Sequence, residues 1–232
     1  MIELKNVSKY YFRQAAVNNL SLTIPSGKIV GVVGENGSGK STILKLLAGL
    51  IRPSKGVITI DNQHVDRRIS SRVLTYLSEL DVYYSFYTVQ ETIDFYASQF
   101  EDFDLEKANQ ILEFMRLEPD KQVKNLSKGS RGRLKILISL SRKVPYILMD
   151  EPLSGLDPMV RESIIKGLIS FIDMDKQTVI LTTHELSEIE SLLDMVIFVK
   201  NGKVLDFKDL EEIRQQENLS LVEWMKRRNK DE

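Results

Sequence analysis

Residues 34–42 of this 232-residue chain are Gly34, Glu35, Asn36, Gly37, Ser38, Gly39, Lys40, Ser41 and Thr42, a G-x-x-x-x-G-K-[ST] run. Successive backbone N–H groups of such a loop point inward and cradle phosphate oxygens. A lysine at this position reaches β- and γ-phosphates, and the hydroxyl after it ligates Mg²⁺. The loop also dictates its surroundings. The apolar run Ile29–Val33 before it reads as a strand buried on both faces of a parallel sheet. The run Ile43 to Ala48 after it reads as a helix, whose N-terminal dipole adds to the attraction for an anion. A glycine-rich turn that merely joins strand to helix has no need of Lys40 and Ser41.

The rest of the chain supplies what could surround this loop. Val73 to Leu77, Tyr146 to Met149 and Thr178 to Thr182 are further apolar strands. Residues 2–9, Val17 to Ile24 and Gly56 to Asp61 predict a small antiparallel sheet near the N-terminus. Thr88-Val89-Gln90-Glu91 is a capping box that opens a helix to about Gln99. Asp104 and Ser127 can cap two more helices, the second running to about Lys143. Asp157-Pro158 opens another, to about Ile172. A short helix from Glu185 follows, then a hairpin about Asn201-Gly202 and a helical tail from Asp209. The expected organisation is one domain: an α/β core over about 1–84 and 144–207, a helical insertion over about 85–143, and a helical tail over about 208–232. Strands alternating with helices place ligands at the strand C-termini.

Composition excludes some chemistries. The net charge of −1 gives no global basic signal, so no nucleic acid is expected. There are no cysteines, hence no thiolate metal site and no cysteine nucleophile. No apolar stretch is long enough to span a bilayer as a helix. Met1 to Asn6 lacks a signal-peptide pattern. A membrane role is therefore expected to come through a partner.

The strand Tyr146 to Met149 ends in Asp150 and Glu151. In phosphate-loop enzymes the aspartate at such an end holds Mg²⁺. A carboxylate next to it can orient and deprotonate an attacking water. Cradle, metal and positioned water together are what phosphoryl transfer to water requires.

The ordered set of the 34–41 loop, Leu126-Ser127-Lys128-Gly129-Ser130, Ile147 to Glu151, Ser154-Gly155-Leu156-Asp157 and His184 resembles the ATP-binding subunit of ABC transporters, from residue 1 to about 207. The resemblance implies a P-loop NTPase fold of RecA-like type, with ATP and Mg²⁺ as ligands. It implies that Tyr11 stacks on adenine, with Tyr10 its rival, and that Glu151 is the catalytic base. His184 would contact the γ-phosphate and hold the attacking water. Ser127 and Gly129 would face the γ-phosphate held by a second ATP-binding subunit, a copy or a paralogue, and Asp157 would lie in the loop crossing between the two. The implied role is an ATPase on the cytoplasmic face of the cell membrane, powering integral permease subunits, with a soluble non-transport ABC ATPase as the alternative.

The sequence departs from that pattern twice. Lys128 and Ser130 replace a glycine and a glutamine of the usual Leu-Ser-Gly-Gly-Gln. Glu79 stands where the family has a Mg²⁺-ligating glutamine; a carboxylate there can still ligate the metal. These features resemble bacterial exporter-type subunits. Two further segments could be contact surfaces: the aromatic loop Val82 to Tyr87, as a docking face or as packing between lobes, and the basic tail Lys226 to Lys230, as a lipid contact or a solvated end.

Overall fold

The computed structural model describes residues 1–80 and 83–230. In chain order the elements are β1 (Ile2–Tyr11), β2 (Gln14–Ile24), β3 (Ile29–Val33), α1 (Lys40–Leu47), β4 (Lys55–Ile60), β5 (Gln63–His64), α2 (Arg67–Val73) and β6 (Leu74–Leu77). Then come α3 (Val89–Gln99), α4 (Leu105–Phe114) and α5 (Lys128–Leu140), with no strand between them among the described residues. The chain continues through β7 (Tyr146–Asp150), α6 (Pro158–Phe171), β8 (Thr178–Thr182), α7 (Leu186–Ile189), β9 (Met195–Lys200), β10 (Lys203–Asp209), α8 (Leu210–Glu212) and α9 (Leu221–Lys230).

Two sheets result. The N-terminal strands form an antiparallel sheet in the order β2-β1-β4-β5. The central sheet runs β10-β9-β3-β8-β7-β6, parallel from β9 to β6, with β10 antiparallel at one edge. Alternation along its strands divides the core in two. Ile147 and Met149 face a cluster shared with α3 to α6, whereas Tyr146 and Leu148 face one shared with α1 and the antiparallel sheet. Because both faces are covered, these strands read as unbroken apolar runs.

Local signals set the helices. Thr88 Oγ1 accepts from Glu91 N at 3.1 Å and the Glu91 carboxylate accepts from Thr88 N at 2.7 Å. This is the capping box expected from sequence. Asp104, Ser127 and Asp157 cap α4, α5 and α6 as their positions predict. Asn201 and Gly202 both take positive φ, 51° and 75°, as a two-residue hairpin turn requires. Three features depart from expectation. Helix α2 is not foreseen from sequence: Asp66 caps it, but only Ser70 among its residues is buried and no apolar period marks it. Helix α1 starts at Lys40, inside the phosphate loop, and α5 stops at Leu140 rather than near Lys143.

The tail folds back on the core. Trp224 is fully buried, its ring 5.9 Å from that of Phe198 on β9. Arg228 pairs with Asp206 at 3.2 Å and Arg227 with Glu217 at 3.5 Å, so these two cations are engaged within the chain.

Candidate nucleotide site

The site lies at the C-terminal ends of β3, β7 and β8. The turn out of β3 needs glycine. Gly34 has φ 148°, and a Cβ there would overlap the Val199 carbonyl oxygen; only a residue without a side chain escapes both constraints. Lys40, almost fully buried, donates to the carbonyl oxygens of Gly34 (2.9 Å) and Glu35 (3.0 Å). Burial lowers its pKa, and the charges of Glu151 and Asp150 act against that shift.

Parallel pairing of β7 with β8 sets Asp150 opposite Thr182. Three hydroxyls then fix the Asp150 carboxylate. Ser41 Oγ and Thr182 Oγ1 each donate to Oδ1 at 2.9 Å, and Tyr76 Oη donates to Oδ2 at 3.0 Å. Burial and the Asp150 charge push the Tyr76 phenol well above its ordinary value, so it remains the donor.

Thr182 Oγ1 also accepts from Glu151 N at 2.9 Å, holding Glu151 at φ 49°. That left-handed conformation is uncommon for a residue with a side chain and points to local constraint. Glu151 Oε1 lies 2.9 Å from His184 Nε2, yet it is buried and receives no aligned hydrogen bond among the described residues. Burial raises the Glu151 pKa, opposed by the charges of His184 and Lys40. A buried carboxylate oxygen with spare acceptor capacity and raised basicity is suited to taking a proton from water.

Lys40, Ser41, Glu151 and His184 share one cavity of about 350 Å³, lined also by Ala16, Asn36, Gly37, Gly39, Thr42, Glu79 and Ser154; Asp150 joins it through its bond from Ser41. A second cavity of about 320 Å³ shares Glu79, Glu151 and Ser154 with it and adds Lys128 and Lys135. Of the residues singled out from sequence, the structure thus gathers the phosphate loop, Glu79, Asp150, Glu151 and His184. Ser38 is buried in the loop, its hydroxyl without a hydrogen-bond partner among the described residues.

Four others stand outside this cavity. Tyr11 is 45% exposed on β1, with Lys9 Nζ 5.3 Å from its ring centre, and Tyr10 is exposed beside it. Ser127 and Asp157 use a side-chain oxygen to cap their own helices. Gly129 is buried, and a Cβ there would lie 2.8 Å from Val160 Cγ2, so close packing of α5 on α6 is reason enough for a glycine. The Lys128 side chain is exposed, and its ammonium lies against Gly155 of its own chain.

Sequence reading missed Tyr76 and Thr182, which orient Asp150, and Ser154 in the cavity wall. In the aromatic loop, Tyr83 packs on the helical core, while Tyr84 and Phe86 are exposed and contact each other and the rings around α3; Val82 lies outside the described residues.

Comparison with known proteins agrees with this geometry. Residues 17–154 match the family model described as ABC transporter. The chain is 35% identical over 209 residues to the Nod factor export ATP-binding protein I of Sinorhizobium fredii, covering 87% of this chain and 61% of that protein. It is 30% identical to the lantibiotic transport ATP-binding protein SrtF of Streptococcus pyogenes, covering 91% and 92% of the two chains. It is also 30% identical to the petrobactin import ATP-binding protein YclP of Bacillus subtilis, covering 88% and 85%. A dimeric post-hydrolysis ATP-binding cassette bound to ADP and Pi superposes with a TM-score of 0.80 at 26% identity, over 90% of this chain and 99% of that one. The matched motifs, the fold and the converging site residues have one explanation: this chain belongs to the ABC transporter family, as an ATP-binding domain of the P-loop NTPase fold.

Proposed function

We propose that this chain hydrolyses ATP to power a separate membrane permease, working as one half of a head-to-tail pair of cassettes that closes on two nucleotides. The observation that carries the reading is the single cavity joining the phosphate-loop lysine to Glu151 and His184. The phosphate loop supplies N–H donors for the phosphates, and Lys40 leaves its loop carbonyls to meet the β- and γ-phosphate oxygens. Glu151 accepts the proton of a water whose oxygen attacks the γ-phosphorus, and ADP departs with the bridging oxygen. His184 holds that water and the γ-phosphate.

The donor set at Ser41 and Asp150 fits Mg²⁺. A hydroxyl and a carboxylate oxygen 2.9 Å apart are hard ligands, and Mg²⁺ takes few protein ligands beside substrate phosphates and water. Among the described residues no three His, Cys, Asp or Glu side chains form a cage of their own, so the phosphates would complete the shell. The metal supplies neutralisation of phosphate charge. Glu79, in the wall of the same cavity, would be a further carboxylate for that shell.

Tyr11 pairs with Gln14 on the β1–β2 hairpin, whose second strand also carries Ala16 of the cavity wall, and from there it would stack on adenine. Ser127, Gly129 and Asp157 would serve the partner's nucleotide, since none lines this chain's own cavity. Each nucleotide would touch both chains, so the closed pair is favoured only when nucleotide is bound. No described helix is long and apolar enough to cross a membrane; in the proposed assembly the permease subunits would hold the transport path, with this chain at the cytoplasmic face. Export is the direction proposed, on the likeness to the Nod factor export protein; the petrobactin import relative makes direction a matter for its own assay.

The test is a pull-down of tagged Glu151→Gln protein from detergent-solubilised native membranes with ATP. The variant is expected to bind ATP, lose turnover and bring down a multi-span membrane protein. Recovery of soluble proteins alone would move the reading to a soluble non-transport ABC ATPase.

A further inference from the structure

Two cavities outside the nucleotide site lie at the opposite end of the sheet. One, of about 460 Å³, is lined by Asp104, Lys107, Lys143, Val144, Pro145, Asp173, Lys176 and Gln177. A neighbour of about 430 Å³ shares Asp104, Lys107 and Asp173 with it and reaches Glu106, Phe171 and Ile172. Pro145 and Gln177 immediately precede β7 and β8, so the groove opens at the N-terminal strand ends, away from Asp150 and His184. It runs between α4 of the helical insertion and the C-terminal end of α6.

Its charges are not evenly matched. Lys143 pairs with Asp104 at 3.0 Å and Lys176 with Asp173 at 3.1 Å. Asp104 Oδ1 accepts from Lys107 N, capping α4. The Lys107 ammonium has no hydrogen bond or ion pair among the described residues, though it borders both cavities and is partly buried. Asp104 and Asp173 act on it only through their charge. A cation removed from water without a direct partner costs free energy that an incoming anion recovers. The walls beside it are apolar: Val144, Pro145, Phe171 and Ile172.

We propose that this groove is a second ligand site, for a small molecule carrying one anionic group on an apolar or aromatic body, with Lys107 as the anion's partner. The cavity volume falls in the range of about 300–1,000 Å³ typical of small-molecule sites. Lys143 and Lys176 are already paired with Asp104 and Asp173, so Lys107 offers one charge and matches one anionic group. An occupant would touch both the helical insertion and the core.

The test uses 1-anilinonaphthalene-8-sulfonate, a monoanion on an aromatic body, titrated by fluorescence into the protein without and with saturating Mg-ADP. The expected result is saturable 1:1 binding that ADP leaves unchanged. Lys107→Ala is expected to weaken it at least about tenfold, the loss of one charge-assisted contact, while Lys107→Arg retains it. The neutral dye N-phenyl-1-naphthylamine should not distinguish wild type from Lys107→Ala. Displacement of the sulfonate by ADP, equal binding to wild type and Lys107→Ala, or no saturable binding would each overturn the assignment. Circular dichroism melts of both variants confirm that the fold is retained.

Discussion

Thr182→Val is the most direct probe of how the fold builds this site. The substitution is nearly isosteric, and Thr182 is fully buried, so packing barely changes. What disappears is one hydroxyl with two bonds, the acceptor for Glu151 N and a donor to Asp150 Oδ1, both at 2.9 Å. The Glu151 N–H is orphaned, and Asp150 Oδ1 keeps only Ser41. An orphaned polar group costs about 1–3 kcal/mol and a bond to a charged group is worth a similar amount, so the sum is about 2–4 kcal/mol after partial relaxation. For a chain of this size each kcal/mol moves Tm by about 2–4 °C, giving a fall of roughly 5–15 °C by calorimetry. The Glu151 backbone is also released from its left-handed turn, and misplacing a reacting group by about 1 Å can cost on the order of 100-fold in rate. In a phosphate-release assay kcat should drop by about 10–100-fold. KM for ATP should stay within a few-fold, because Lys40 and its loop are untouched; Thr182→Ser should restore both kcat and Tm. A Thr182→Val protein with Tm within about 2 °C of wild type and unchanged kcat would refute the claim that this hydroxyl positions the site.

Other perturbations test other parts of the structure. Arg142 is buried where helical insertion and core meet, with its Nη2 2.8 Å from Asp102 Oδ2 and 2.9 Å from Ser71 O and its guanidinium over the Phe100 ring. Arg142→Ala should cost about 2–4 kcal/mol in urea unfolding. The value falls toward the lower end for breaking a buried pair because the Asp102 side chain is 28% exposed. Asp104 is held below the ordinary value of 3.8 by the Lys107 amide and by Lys143. Its stabilisation is therefore present above pH 3.8 and lost as pH falls through the lowered folded value. Asp104→Asn keeps a capping oxygen but not the charge, so the stability gap to wild type, about 0.5–1 kcal/mol near neutrality, should close in acid melts. Removing divalent cations with EDTA should weaken ATP binding more than ADP binding in calorimetric titrations; equal weakening would count against a metal at Ser41 and Asp150.

Much of this was legible because its causes are local. Caps at Thr88, Asp104, Ser127 and Asp157 are bonds between a side chain and a backbone three residues on, and such bonds leave a mark in sequence. The strands Ile29–Val33, Tyr146–Asp150 and Thr178–Thr182 show as apolar runs because two separate clusters cover their faces. What sequence could not show depends on register between distant segments. Ser41 meets Asp150 across 109 residues, and Tyr76 meets it across 74. Nothing near Thr182 in the chain announces that its hydroxyl will sit between Asp150 and Glu151; only the parallel pairing of β7 and β8 does so. The placement of the Lys128 ammonium beside Gly155 was equally hidden, since it depends on a contact between two separate segments.

The charge around the cavity explains why its parts belong together. Asp150, Glu151 and Glu79 place three carboxylates beside one lysine, a poor receptor for a polyanion if Coulombic interactions alone decided. Two features change that balance, while burial raises the basicity of Glu151. Three hydroxyl bonds spread the Asp150 charge and hold its oxygens toward Ser41, where a divalent cation in the proposed reaction would cancel it. The backbone N–H groups of the phosphate loop add positive potential without a charged side chain. A carboxylate-rich site for a triphosphate is therefore coherent only if nucleotide and cation arrive together. The same arrangement leaves Glu151 ready to accept a proton once the phosphate charge is neutralised.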